Sequence, residues 1–202
     1  MNASALFWTA FTPFLLLVWL FQRLPGVRGT GGLLVACLAA AMVVFFGCLG
    51  RCVAYWTASL SANLSVVLAL LLIGSIAARA GFPAVFRRCE WRAAWIFGAV
   101  CSLLLYPSAF GLGWQSFDSY SLGWPWLDWR SSWFLFAFTA AAAGLLVWRG
   151  NRFGWVLALV SVAYIFRIQE SQNFWDYLLD PLYATASLVA VFAGILSRLR
   201  RR

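Results

Sequence analysis

Seven long apolar runs recur along this chain, and its few charges fall between them. The runs cover residues 5–21, 33–49, 55–77, 93–112 (interrupted by Pro107), 133–148, 153–166 and 182–196, and no charged residue lies in the middle of any of them. A chain so patterned has few ways to fold, because in hydrocarbon each segment must satisfy its own backbone hydrogen bonds. Composition agrees: 10% of the 202 residues are charged, against about 25% in soluble domains, and mean hydropathy is +0.85. The alternating ten-residue strands of a membrane barrel are absent. The sequence therefore predicts an all-α fold, a polytopic transmembrane helix bundle of about seven spans. Residues 1–202 read as one integral membrane domain with no detachable soluble part. No basic residue precedes the first run and no small-residue cleavage site follows it, so it reads as a retained span, kinked at Pro13.

Net charge is +9, and all fifteen basic residues are arginine. Cations at the ends of apolar runs set topology, so nucleic acid is not an expected partner. With the N-terminus outside, twelve arginines face the cytoplasm and three, Arg51, Arg130 and Arg167, face out. The cytoplasmic set includes the loop 79–92 and the tail 198–202. This split predicts an N-out, C-in orientation. The Ala-, Leu- and Arg-rich usage points to a bacterial inner membrane. Five of the six acids, Asp118, Asp128, Glu170, Asp176 and Asp180, fall on the outer side, and only Glu90 falls inside.

There is no histidine, and the five cysteines form no CxxC pair. No metal or redox cofactor is therefore expected. Cys48 and Cys52, four apart on one helix, read as small apolar neighbours rather than a disulfide.

Chemistry concentrates in two outer loops. Loop 167–181 carries RIQESQNFWDYLLDP. Asn173 is suited to cap a short helix with Asp176 at N3, close to a capping box, and Asp180 before Pro181 is suited to cap the last span. That leaves Arg167, Glu170, Trp175 and Tyr177 as candidate ligand-binding residues reaching the outer surface, with Asp176 beside them. Loop 111–133 holds five tryptophans among glycine and proline turns. Trp124, Trp126, Asp118, Asp128 and Arg130 there suggest a Trp-rich cap, since indole faces stack on sugar rings and carboxylates accept their hydroxyls. The loops echo each other as SFDSY (116–120) and NFWDY (173–177). Paired outer carboxylates are also what a transferase or hydrolase would use.

Elsewhere, Thr57, Ser59, Ser61, Asn63 and Ser65 suit interhelical hydrogen bonds. The pairs Gly74/Ala78, Ala36/Ala40 and Ala140/Gly144 suit close helix packing. The stretch 82–95 mixes Phe82, Phe86, Trp91 and Trp95 with arginines, as a segment lying in the headgroup plane against anionic lipid would. The expected function is a non-catalytic component of bacterial envelope biogenesis that binds a lipid-linked glycan or a periplasmic or membrane protein partner. The alternatives are an outer-face carboxylate enzyme on a lipid-linked substrate, and a lipid or small-solute facilitator or flippase. Reporter fusions after Arg92, Arg152 and Arg202 should all read cytoplasmic, and a periplasmic signal at any of them would break the seven-span scheme.

Overall fold

Every regular element among the described residues is helical, and no strand occurs among them. The computed structural model describes residues 3–45, 64–111, 118–124, 132–169 and 171–200. The elements are α1 (Ala3–Phe21), α2 (Gly29–Phe45), α3 (Val66–Arg79), α4 (Arg88–Ala109), a 3₁₀ segment (Ser119–Gly123), α5 (Ser132–Trp148), α6 (Phe153–Ile165), α7 (Phe174–Leu178) and α8 (Pro181–Leu199). One helix among the described residues, α8, is both long and apolar enough to cross a membrane. The other apolar stretches, Ala10–Phe21, Gly29–Val44, Val66–Arg79, Trp133–Trp148 and Phe153–Ile165, are shorter. Helix α4 has 22 residues, but its first two turns carry Arg88, Glu90 and Arg92. Seven full-length spans are thus not visible in helix length.

Three expectations need correction. The segment 88–95 does not precede the fourth helix; it forms its first turns, because its arginines and tryptophans fall on a helical stripe. That helix also runs through Pro107 to Ala109 rather than breaking there. In its last turn the hydroxyls of Ser108 and Ser119 both donate to the Leu105 carbonyl, at 3.1 and 3.0 Å, as side-chain donors do near prolines in apolar surroundings. Third, Leu64 and Ser65 are not helical, so the third run is not one continuous helix from 55 to 77. Residues Thr57, Ser59, Ser61 and Asn63 lie outside the described residues, as do Cys48 and Cys52.

The chain divides into two compact units, one of residues 1–64 and 68–87, the other of 65–67 and 88–202. In the first, α1 packs on α2 with Ala36 and Ala40 buried, as their spacing predicts. Arg79, at the end of α3, donates from Nε (3.0 Å) and Nη2 (2.7 Å) to the carbonyl of Gln22, just past α1. Such cationic donors satisfy orphan carbonyls at a helix C-terminus. Gly74 lies under the Phe86 ring, where an added Cβ would come within 2.5 Å.

In the second unit, α4 packs on α8 and α5 on α6. The close approaches use glycines outside the predicted small-residue pairs. A Cβ on Gly98 would collide with Ser187 Oγ and come within 2.8 Å of the Tyr183 ring; one on Gly154 would come within 2.7 Å of the Ala143 carbonyl. Ala140 and Gly144 are instead exposed, so they do not serve packing within this unit. The Tyr183 hydroxyl donates to the Ala94 carbonyl at 2.5 Å.

Asp180 joins the start of α8 to the rest of this unit. One carboxylate oxygen accepts from the N–H groups of Leu182 and Tyr183, both at 2.9 Å. The other accepts from the Ser65 N–H at 2.9 Å and its hydroxyl at 2.6 Å. Burial pushes this carboxyl above its ordinary range, and the donated hydrogen bonds pull it back. The cap was legible in the sequence; the partnership with Ser65 was not. Asp180→Ala should therefore cost about 1 kcal/mol for the cap and about 1–3 kcal/mol more for the stranded Ser65 donors. Unfolding in mixed detergent–SDS micelles should show a loss above about 2 kcal/mol; a loss of about 1 kcal/mol, the cap alone, would remove Ser65 from the account.

Candidate functional site

Segments 118–124 and 171–177 meet through hydrogen bonds. The 3₁₀ segment Ser119–Gly123 is started by Asp118, whose carboxylate accepts from the Tyr120 N–H at 2.9 Å. Helix α7 is started by Asn173, whose Oδ1 accepts from the Trp175 N–H at 2.9 Å. The Nδ2 of Asn173 donates to the Tyr120 carbonyl at 3.0 Å, so one amide caps its own helix and fastens the other loop. The Trp175 indole N–H donates to the Ser119 carbonyl at 2.9 Å. Gly123 lies so near that a Cβ would collide with Asn173 Oδ1 and approach Trp175 Cδ1 to 2.7 Å.

Over this base the Tyr120 hydroxyl donates to Asp176, 3.2 Å from Oδ2. Burial first, then the charge of Asp176, push the Tyr120 phenol up to about 12, so it remains a donor at neutral pH. The Ser171 hydroxyl makes a short hydrogen bond to the same carboxylate oxygen of Asp176. Asp176 therefore does not close a capping box: Asn173 N–H donates to Ser171 Oγ at 3.0 Å, and the carboxylate turns to Ser171 and Tyr120 instead. Asp118 and Tyr120 are exposed and Asp176 is half-buried. The result is a surface of two carboxylates bonded to opposite ends of one tyrosine, able to accept hydrogen bonds from a hydroxyl-rich or cationic ligand.

Trp175 and Tyr177 do not reach the surface, contrary to expectation: they are 1% and 0% exposed. In a helix as short as α7, residues at N2 and N4 turn inward once Phe174 packs on Tyr164, with centroids 4.8 Å apart. Tyr177 packs edge-on to Tyr164 at 5.2 Å. Its hydroxyl accepts from the Gln169 N–H at 3.1 Å and donates to the Gln169 carbonyl at 3.2 Å. Both aromatics thus hold the loop rather than face out of it.

Arg167 is exposed and has φ +49°, the left-handed region. Its N–H donates to the Tyr164 carbonyl at 3.0 Å, and the Ile168 N–H to the Ala163 carbonyl at 3.2 Å. These bonds end α6 in the turn that usually takes glycine, at a steric cost to arginine of about 1–2 kcal/mol. Trp124 is half-exposed and follows the 3₁₀ segment. Glu170, Asp128, Arg130 and Trp126 lie outside the described residues. No cluster of three or more His, Cys, Asp or Glu side chains suited to a metal occurs among the described residues. Sequence reasoning missed Tyr120, Ser171 and Gly123; the repeat of an aromatic, an Asp and a Tyr in both loops was the signal that could have found them.

Comparison with protein-family models, curated proteins and solved structures gave no match to this chain. Gly123→Ala should displace the 3₁₀ segment from α7 and cost about 1–3 kcal/mol by overpacking. Gly144→Ala, whose Cβ meets nothing, should be neutral or stabilise by about 0.5–1 kcal/mol. Urea or SDS titrations of the two variants check this, and equal stability would contradict the close approach at Gly123.

Proposed function

We propose that the chain is a multi-pass component of a bacterial inner membrane, with about seven membrane-embedded helical segments, N-out and C-in. What supports this is where polarity sits. Leu34, Leu38 and Met42 of α2, Trp155 and Leu159 of α6, and Val189 and Phe192 of α8 are exposed, while Asp180, Asn173, Glu90, Gln22 and Ser65 are buried. Water would favour the reverse; a hydrocarbon solvent favours this. The hydrogen bonds also join groups that the arginine scheme puts on one side. Arg79 meets Gln22, beside Arg23, on the inner side; the Glu90 carboxylate accepts from the Arg152 N–H at 3.1 Å, also inside; Tyr120 meets Asp176 outside.

In this reading the outer loops form a rigid, acidic platform that binds a lipid-linked glycan. The single observation that carries it is the Asp118–Tyr120–Asp176 group, exposed on a base of fully bonded, buried Asn173 and Trp175. Carboxylates preset by other hydroxyls suit sugar hydroxyls, and the rigid base lowers the ordering cost of binding. A periplasmic protein partner would use the same face. The same two carboxylates favour a second reading, an enzyme on a lipid-linked substrate, because acid–base chemistry at a glycosidic bond needs two such groups.

The test is purification in native lipid followed by mass spectrometry of the copurified material. Wild type should retain a glycolipid; Asp118→Asn with Asp176→Asn should lose it while keeping folded yield. Arg167→Gly should not destabilise the protein, because glycine relieves the left-handed strain. Retention of the glycolipid by the double variant, or capture of nothing by wild type, counts against the platform. Turnover of the captured lipid by wild type and not by either single variant would select the enzyme.

A further inference from the structure

At the opposite end of the second unit, α4 and α8 enclose a cleft of about 460 Å³. Its walls are one stripe of each helix. Arg88, Trp91, Arg92 and Trp95 recur at three- and four-residue intervals on α4, and Val191, Gly194 and Arg198 do so on α8. The two helices touch closely at Gly98 and Ser187, and the cleft lies toward the arginine-bearing ends. Its mouth carries three exposed guanidinium groups, Arg88, Arg92 and Arg198. Glu90, the one acid in this stretch, is buried outside the cleft lining, with its carboxylate accepting from the Arg152 N–H. The rest of the lining is mainly apolar, with Ile96, Ala190, Val191 and Ile195. Trp91 and Trp95 stack at 5.5 Å along one wall. Gly194 leaves the floor open, since a Cβ there would meet nothing within 4 Å.

We propose that this cleft is a site for one anionic phospholipid, its phosphate held by Arg88, Arg92 and Arg198 and an acyl chain laid on Val191, Gly194 and Ile195. The charge is complementary and its geometry suits phosphate, because guanidinium forks bond phosphate oxygens in pairs. Paired tryptophans beside arginines belong at the boundary between headgroups and chains. The apolar lining beside the arginines separates this from attraction of arginines to a charged surface, which needs no cleft. The site is remote from the outer-loop carboxylates and does not depend on what they bind.

Native mass spectrometry of the purified chain in a mild non-ionic detergent, titrated with dioleoyl phosphatidylglycerol, tests it. Phosphatidylglycerol should bind one per chain in preference to phosphatidylcholine. An arginine near anionic lipid contributes about fivefold in affinity, so Arg88→Gln with Arg92→Gln and Arg198→Gln should weaken binding about a hundredfold. Gly194→Leu, which fills the floor, should abolish the one-to-one adduct, while Gly144→Leu on the exposed face of α5 should not. Val191→Trp fills the same space from the preceding turn and serves if Gly194→Leu fails to fold, as judged by circular dichroism. Unchanged binding in the filled variants would overturn the acyl-chain site. Equal binding of the two lipids, which both carry a phosphate, would overturn the preference for an anionic headgroup, and unchanged binding in the triple arginine variant would overturn the phosphate assignment. Displacement of phosphatidylglycerol by millimolar inorganic phosphate would replace the lipid by a soluble phosphate ligand.

Discussion

Asp180 is buried with both carboxylate oxygens fully used, each accepting two hydrogen bonds. A buried carboxylate is tolerable only when donors replace its lost water. Two of these donors belong to the first turn of α8 and two to Ser65, 115 residues away in the chain. The start of α8 is therefore fixed in place as well as capped. From that fixed start follow the position of Tyr183, whose hydroxyl reaches the Ala94 carbonyl, and the close approach at Gly98. The cleft between the arginine-bearing ends of α4 and α8 is the far consequence of the same anchoring.

Asn173 plays the comparable part between segments 118–124 and 171–177. One side chain satisfies the Trp175 N–H and the Tyr120 carbonyl, and the absence of a side chain at Gly123 makes room for it. The largest side chains of the loop, Trp175 and Tyr177, then go inward and find partners on Ser119 and Gln169. What remains at the surface is Asp118, Tyr120 and Asp176, held from behind. This division of labour, with Trp175 and Tyr177 inside and the carboxylates toward the surface, explains how so short a loop can present a defined surface.

The exposed sides of the helices are made of leucine, valine, phenylalanine and tryptophan, while amides, hydroxyls and carboxylates are collected inside. Buried polar groups of this kind are stable only when paired, and most here are paired across long stretches of chain. Among the described residues, α8 is the one helix both long and apolar enough to cross a bilayer. Short apolar helices that share buried hydrogen bonds can still occupy hydrocarbon, provided that the non-helical backbone between them lies against protein.

Much was legible in the sequence because it is local. The apolar runs placed α1, α2, α5, α6 and α8 to within a few residues, since a helix satisfies its own backbone wherever apolar side chains persist. Asn173 and the Asp180–Pro181 pair marked two helix starts, because a cap acts within three residues of itself. The absence of histidine and the arginine placement were likewise read directly. Only the tertiary structure decided that Trp175 and Tyr177 are buried, that Asp176 serves Tyr120 rather than its own helix, that Arg167 takes a left-handed turn, and that Gly98 and Gly154 rather than Gly144 make the close approaches. It also brought Arg88, Arg92 and Arg198 around one cleft. All but the local turn at Arg167 depend on which residue arrives opposite from elsewhere in the chain, 53 to 115 positions away for the bonded pairs of Asn173, Tyr120 and Asp180. A periodic apolar pattern carries no record of such pairings, because it fixes which face of a helix is covered and not what covers it.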